Sequence, residues 1–316
     1  MIIGSERSEA GLAAGMALLR QGASALDAVE ATLRLCEDNL DDHYIGTGGL
    51  PNARGEVELD ASLMVGSSRA FGAVGAVRNY PHPISIARAV LEKLPQHSLL
   101  VGEGAELFAE EQGFERVNLL TEEARRIFRA ALKKSTESVE GENTDGASGD
   151  DAYRVAATDM VKRFLPHDGP WGTVNVMALD ESGEMVVGVS TSGYPWKYPG
   201  RVGDSALPGS GNYCDLRYGG AACTGRGELS MRIAGARMVV DALARGEEPV
   251  QACGSMLLEA AILPDLFRSE LRALCLTPEG RHAGAASQGG STYNVMMASS
   301  TGPEIFARVR FDSVAP

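Results

Sequence analysis

Apolar residues recur at helical spacing twice near the start of the chain, over residues 8–21 and 24–37. Leu26, Val29, Leu33 and Cys36 form the apolar face of the second stretch. Ser8 and Ser24 are N-cap candidates for these helices, and Gly22 is a natural stop for the first. A glycine-rich turn, IGTGGLPNARG from Ile45 to Gly55, separates them from two strand-like runs. These are ELDASLMVG and AFGAVGAV, joined through GSSR. Helical spacing returns at 84–94, 103–112 and 121–133. In the second half, TVNVMALD (173–180) alternates apolar and polar residues, DESG turns, and EMVVGVST (184–191) runs back as a hairpin. A long glycine-rich segment then extends from Ser192 to Gly227. Beyond it the spacing predicts helices from Glu228 to about Leu243 and over 249–262, with strands at 272–276, 293–299 and 304–312.

Strands and helices therefore come in blocks rather than in β-α-β alternation. That order favours an α+β layered architecture over a doubly wound sheet. Residues 134–152 are polar, acidic and almost free of large apolar groups, the signature of a flexible surface segment. No internal repeat interrupts the 316 residues, and a single domain over 1–316 accounts for them.

Composition narrows the function. The formal net charge of −13 argues against nucleic acid and against an anionic membrane surface, both of which need clustered Lys and Arg. An anionic small molecule is still admissible, because one buried Arg can hold a carboxylate locally. The five cysteines form no CxxC pair and the five histidines no HExxH, so no transition-metal site is expected, and no cofactor is expected either. The start MIIGSERSEAGLAAGMALL lacks the profile of a signal peptide, and no run approaches the ~18–20 apolar residues of a membrane helix. A cytoplasmic protein with reduced thiols is the expectation.

Three segments carry candidate chemistry: WGTVNV at 171–176, GVSTSGYPWKYPGRVGDS at 188–205 and ACTGRGE at 222–228. Thr173 opens a strand directly after Gly172. It is either an ordinary β-branched strand residue or a nucleophile. A threonine hydroxyl is weak alone, but as a chain's first residue it has its own α-amine as general base. Glycine before it tolerates the distortion that attack on the preceding peptide bond requires. Arg201 and Asp204 in GRVGDS could hold the α-carboxylate and α-amine of an amino acid, or could simply form a surface turn with a local ion pair. Thr224 and Gly225 offer a hydroxyl and backbone N–H groups suited to an oxyanion hole, or a turn of no chemical interest. Tyr194, Trp196 and Tyr198 either line a substrate mouth or anchor their loop by packing. His167 reads as a loop residue.

These segments resemble the N-terminal-nucleophile asparaginase family of glycosylasparaginases, isoaspartyl peptidases and plant-type asparaginases. The resemblance runs through GASALDAVEATLRLCEDN, IGTGGLPNARGEVELDASLM, GAVGAVRNYPHPISIARAVLE, LLVGEGAELFAEEQGF, GTVNVMALDESGEMVVGVSTSG, GRVGDSALPGSGNY and CTGRGE, most of residues 10–240. It implies a four-layer αββα sandwich and cleavage of the Gly172–Thr173 bond into chains 1–172 and 173–316. It further implies Thr173 as nucleophile, with Thr191 hydrogen-bonding and activating its hydroxyl. Arg201 would bind the substrate α-carboxylate, Asp204 the α-amine, and Thr224 and Gly225 the oxyanion. A homodimer of cleaved protomers acting on a small amino-acid or dipeptide substrate is implied as well.

The chain departs from the glycosylasparaginase pattern at three places. Gly172 stands where an Asp usually precedes the threonine, Leu50 where a serine is usual, and the first tryptophan is Trp171. Asparagine, β-aspartyl dipeptides and glycosylated asparagine all remain open as substrates. Arg226 either biases the leaving-group side or is a solvated surface residue. A second reading is an uncleaved, non-catalytic binding protein, though binding alone has no chemical need for the threonine. A nucleotide-binding oxidoreductase is disfavoured, since no GxGxxG follows a strand and opens a helix.

Overall fold

The computed structural model describes residues 1–137, 158–162, 172–265 and 270–311. The first half contains β1 (Ile2–Ser5), α1 (Glu9–Arg20), α2 (Ala25–Glu37), β2 (Leu59–Val65) and β3 (Phe71–Val77). α3 (Pro83–Lys93), β4 (Leu99–Val101), α4 (Gly102–Glu111) and α5 (Glu122–Glu137) follow. The second half opens with the hairpin β5 (Val174–Leu179) and β6 (Met185–Thr191), then β7 (Asn212–Asp215) and β8 (Gly219–Gly225). Three helices come next, α6 (Gly227–Ile233), α7 (Gly235–Ala244) and α8 (Pro249–Ala261). The chain continues through β9 (Leu271–Leu276), β10 (His282–Ala286), β11 (Thr292–Met296), β12 (Glu304–Ala307) and β13 (Val309–Arg310).

The strands form two sheets, an eight-stranded one ordered β12-β11-β1-β5-β6-β2-β3-β4 and a five-stranded one ordered β13-β10-β9-β8-β7. Apolar residues of both sheets, among them Ile3, Met177, Val187, Val189, Ala222 and Leu274, form one buried cluster. The larger sheet packs its other face on α1–α4 through Ile2, Val29, Leu33, Ile84 and Val176. The smaller sheet packs on α7 and α8 through Val239, Val240, Met256 and Leu257. Alternation along each strand therefore feeds two cores, and each fully buried aliphatic side chain contributes about 1.5–3 kcal/mol.

Several elements depart from the sequence expectations for physical reasons. Within the glycine-rich segment 192–227, GGAACTG is strand β8, buried along almost its whole length. Small residues give no alternating signal, yet they let the strand sit tightly between neighbours. The helix expected from Glu228 to Leu243 is two helices, because Ala234 adopts a left-handed conformation (φ 51°). β1 and β10 fall in segments with no strand reading, and the run at 304–312 divides between the two sheets as β12 and β13. Ser24 caps α2 by accepting from Asp27 N at 3.1 Å. Ser8 makes no cap bond, since its backbone is already helical and its hydroxyl accepts from Asn294 Nδ2. Of the acidic segment expected to be flexible, residues 134–137 end α5 and the rest lie outside the described residues. All five cysteines are free and buried. Among the described residues no helix is long and apolar enough to cross a membrane.

α1 and α2 cross at a stripe of small residues. A Cβ on Gly11 would overlap the Thr32 carbonyl group, and one on Gly15 the Thr32 hydroxyl. Backbone cannot yield as a side-chain tip can, so Gly11→Val must force the helices apart. The expected loss is about 2–3 kcal/mol, read as a lower denaturant midpoint at unchanged slope. An unaltered midpoint would contradict this packing.

Candidate active site

The site lies at one end of the sheets, where β5 begins and β1, β6 and β8 end. Antiparallel pairing sets Val174 opposite Ser190, which carries Thr173 alongside Thr191. The Thr173 hydroxyl donates to Thr191 Oγ1 at 3.3 Å. Thr191 Oγ1 in turn lies 2.9 Å from the Gly172 carbonyl oxygen as donor and accepts from Gly193 N at 2.9 Å. Ser5, the last residue of β1, fixes the other flank. Its hydroxyl donates to the Thr173 carbonyl at 3.3 Å and accepts from Asn175 N at 3.0 Å. Asn175 Nδ2 reaches across to the Cys223 carbonyl at 3.1 Å, tying β5 to the second sheet beside Thr224.

Gly172 has no room for a side chain. A Cβ there would overlap the Tyr44 side chain and come within 2.6 Å of Arg7 Nη1. The Tyr44 carbonyl accepts from Ser192 N at 2.8 Å, so the same residue that crowds Gly172 also holds the end of β6.

Gly172, Thr173, Thr191, Gly193, Tyr194, Arg201, Gly203, Asp204, Ser205 and Gly225 line one cleft. Its walls come from the segment after β6, which buried charges hold in place. The buried ammonium of Lys197 donates to the Glu58 carbonyl at 3.1 Å, and the Glu58 carboxylate accepts from Gly200 N at 3.0 Å. Asp60 accepts from Gly203 N at 3.1 Å and from Ala76 N at 2.8 Å, clamping the GRVGDS turn to the larger sheet. Burial pushes the Lys197 pKa down and that of Glu58 up.

Arg201 does not pair with Asp204, the partner a local ion pair would require. Its Nε and Nη2 donate to Glu228 Oε1 at 3.1 and 2.8 Å, and its guanidinium lies 4.4 Å from the centre of the Tyr194 ring. Arg226 reaches the other oxygen of Glu228 at 2.8 Å and lies 3.4 Å from Asp265. It is buried, which sets aside the solvated-surface reading. Asp204 starts a short 3-10 turn, Asp204–Ala206, and is buried without an ion-pair partner among the described residues. Burial raises its pKa to about 7, with Arg201 pulling it down and Glu228 pushing it up. Asp204 Oδ2 and Thr224 Oγ1 are buried and make no hydrogen bond among the described residues. Such atoms cost about 1–3 kcal/mol each unless a ligand or water completes them. Thr224 and Gly225 close β8 as strand residues rather than forming a turn.

Of the aromatic trio, Tyr194 lines the cleft, Trp196 packs on Phe128 with ring centres 5.5 Å apart, and Tyr198 is exposed. His167 and Trp171 lie outside the described residues. Sequence reasoning missed Ser5, Tyr44, Asn175 and Glu228, each of which reaches the site through a partner distant in the chain. Lys197 did leave a signal, a single cation inside an aromatic and proline-rich loop.

The asparaginase family model matches residues 5–302. The chain is 38% identical over 236 residues to an N(4)-(β-N-acetylglucosaminyl)-L-asparaginase of Elizabethkingia miricola, covering 75% of this chain and 62% of the relative. It is 33% identical over 278 residues to the mouse protein of the same name, covering 85% and 79%. It is 40% identical over 228 residues to a probable isoaspartyl peptidase/L-asparaginase of Drosophila melanogaster, covering 70% and 64%. The chain thus matches less than two thirds of the length of the first and third of these relatives. The matched span includes every element that builds the cleft, and the chain belongs to the N-terminal-nucleophile asparaginase family.

Proposed function

We propose that this chain is a threonine amidohydrolase that cuts itself between Gly172 and Thr173 and then hydrolyses β-aspartyl amides. Isoaspartyl dipeptides, L-asparagine and N4-glycosylated asparagine make up the substrate class. The observation that carries the reading is the convergence of Thr173, Thr191, Arg201 and Asp204 on one cleft. In this reading the two sheets and their helices are the four-layer αββα sandwich of N-terminal-nucleophile hydrolases. The working enzyme is a cytoplasmic homodimer of cleaved protomers, 1–172 and 173–316.

Maturation begins when the Thr173 hydroxyl attacks the Gly172 carbonyl carbon. Thr191, hydrogen-bonded to that carbonyl oxygen, polarises it. The acyl group moves from nitrogen to oxygen as the hydroxyl proton passes to the departing nitrogen, and water hydrolyses the ester, leaving Thr173 with a free α-amine and Gly172 with a carboxylate. An α-amino group titrates at about 7.7–8.0, so it serves as base near neutral pH.

In turnover, Arg201 receives the substrate α-carboxylate and the ionised Asp204 the α-ammonium, charge-assisted contacts that fix the β-amide over Thr173. Arg201 must then share its guanidinium between Glu228 and the substrate. The Thr173 hydroxyl attacks as its α-amine takes the proton. The Thr224 hydroxyl and Gly225 stabilise the tetrahedral oxyanion. Collapse expels the amine, which takes the proton back, and leaves a β-aspartyl ester on Thr173. Water, deprotonated by the same α-amine, hydrolyses the ester to aspartate.

Two outcomes test the proposal. Purified wild-type protein should release aspartate from at least one of L-asparagine, a β-aspartyl dipeptide and N4-glycosylated asparagine. Thr173→Ala should lower that rate by at least about a thousandfold, the scale of a lost nucleophile; retained turnover would remove the central assignment. The second is pH dependence. Asp204 binds an ammonium only when ionised, and its pKa lies near 7. Protonation below that pH removes the charge, so kcat/KM should fall as pH drops through about 7 and flatten above it, apart from the α-amine limb. A profile flat from pH 5.5 to 7.5 (from about one and a half units below the change to about half a unit above it) would contradict the role of Asp204.

A further inference from the structure

We propose that Arg7 recognises the leaving group, and that the preferred substrates are β-aspartyl peptides whose departing amino acid carries a free carboxylate. The inference rests on the amidohydrolase reading above and names the substrate within its class. Arg201 and Asp204 line the cleft with Thr173 and, in the reading above, hold the aspartyl half of the substrate. The departing amine must therefore leave away from them. Gly172 borders Thr173 as well, and its surroundings are Tyr44 and Arg7. Arg7 Nη1 comes within 2.6 Å of the point where a Cβ on Gly172 would project. Once the Gly172–Thr173 bond is broken, Gly172 is no longer tethered there, and its place beside the nucleophile becomes available to substrate.

Arg7 is built into this position. Its Nη1 donates to Asp42 Oδ1 at 2.8 Å, and its guanidinium stacks 4.7 Å from the centre of the Tyr44 ring. The same Asp42 oxygen accepts from Tyr44 N at 3.0 Å, so the three residues form one unit. Arg7 has a left-handed backbone (φ 74°), a conformation that side chains other than glycine rarely adopt and that clusters at functional sites. Its remaining guanidinium nitrogens donate no hydrogen bond to the described residues, and its side chain is 30% exposed. Arg226, the competing cation, is 10% exposed in its side chain and faces two carboxylates, Glu228 and Asp265. A planar guanidinium with one nitrogen anchored and an open edge suits a carboxylate. A neutral sugar or ammonia would leave that charge unused.

The test compares β-aspartyl-leucine with β-aspartyl-leucine amide, which differ only in the terminal charge, on full-length protein normalised to the cut fraction. Wild-type kcat/KM should favour the acid by about tenfold or more, a charge-assisted contact. Arg7→Met should bring the acid-to-amide ratio to about one, and Arg7→Lys should keep part of it. A wild-type ratio near one, or a ratio that Arg7→Met leaves intact, overturns the proposal. If Arg7→Met is not cut, Arg7→Lys decides: a ratio below the wild-type value supports the proposal and an unchanged one overturns it. If the wild-type protein cleaves asparagine yet does not distinguish acid from amide, this inference fails while the amidohydrolase reading stands. Failure on asparagine, acid and amide alike sinks both.

Discussion

The antiparallel pairing of β5 with β6 in the middle of the larger sheet is the constraint on which the site depends. Its register sets Val174 against Ser190 and so brings Thr173 to Thr191. Strand side chains alternate, and a slip of one residue would turn Thr173 to the opposite face. The register is held from both sides and from below. β1 and β2 flank the hairpin, while Val176, Val187 and Val189 fill the cores on its two faces. Ser190 adds a polar pin, donating at 2.6 Å to Glu37, which is buried at the end of α2 and also accepts from Ile84 N. Burial raises the Glu37 pKa, and its partners oppose the shift. The second helix, which carries no candidate site residue itself, thereby reaches the residue that precedes Thr191.

Electrostatics supply the second layer of the site. The segment from Ser192 to Ser205 has little regular structure, and it cannot be held by a ladder. It is held by buried charges: Lys197 on the Glu58 carbonyl, Glu58 on Gly200, and Asp60 on Gly203. Those interactions leave Arg201 and Asp204 side by side but not paired to each other. In the proposed function a zwitterionic amino acid brings one charge for each. Glu228 satisfies Arg201 in the meantime.

The parts that were legible in the sequence had strong period or strong punctuation. The β5–β6 hairpin was readable from its alternation and its DESG turn, and α2 from its face and its serine cap. β8 was hidden because glycine and alanine carry no pattern, and the break at Ala234 because no glycine or proline marks it. The cleft's lining residues were found through motif spacing and family resemblance together. Their supports were not. Ser5, Tyr44, Glu37 and Glu228 become visible only when strands and helices far apart in the chain are brought together. The family match spans this framework, and in the proposed function Gly172 and Arg7 are the positions where residue choice bears on maturation and substrate.

The measurement that tests the central claim most directly is a denaturing intact-mass spectrum of the purified wild-type protein, with N-terminal sequencing of any fragments. The account requires two chains, one of which begins Thr173-Val174-Asn175. A single chain that stays intact through prolonged incubation would contradict it, and would leave the cleft as a binding site without a nucleophile.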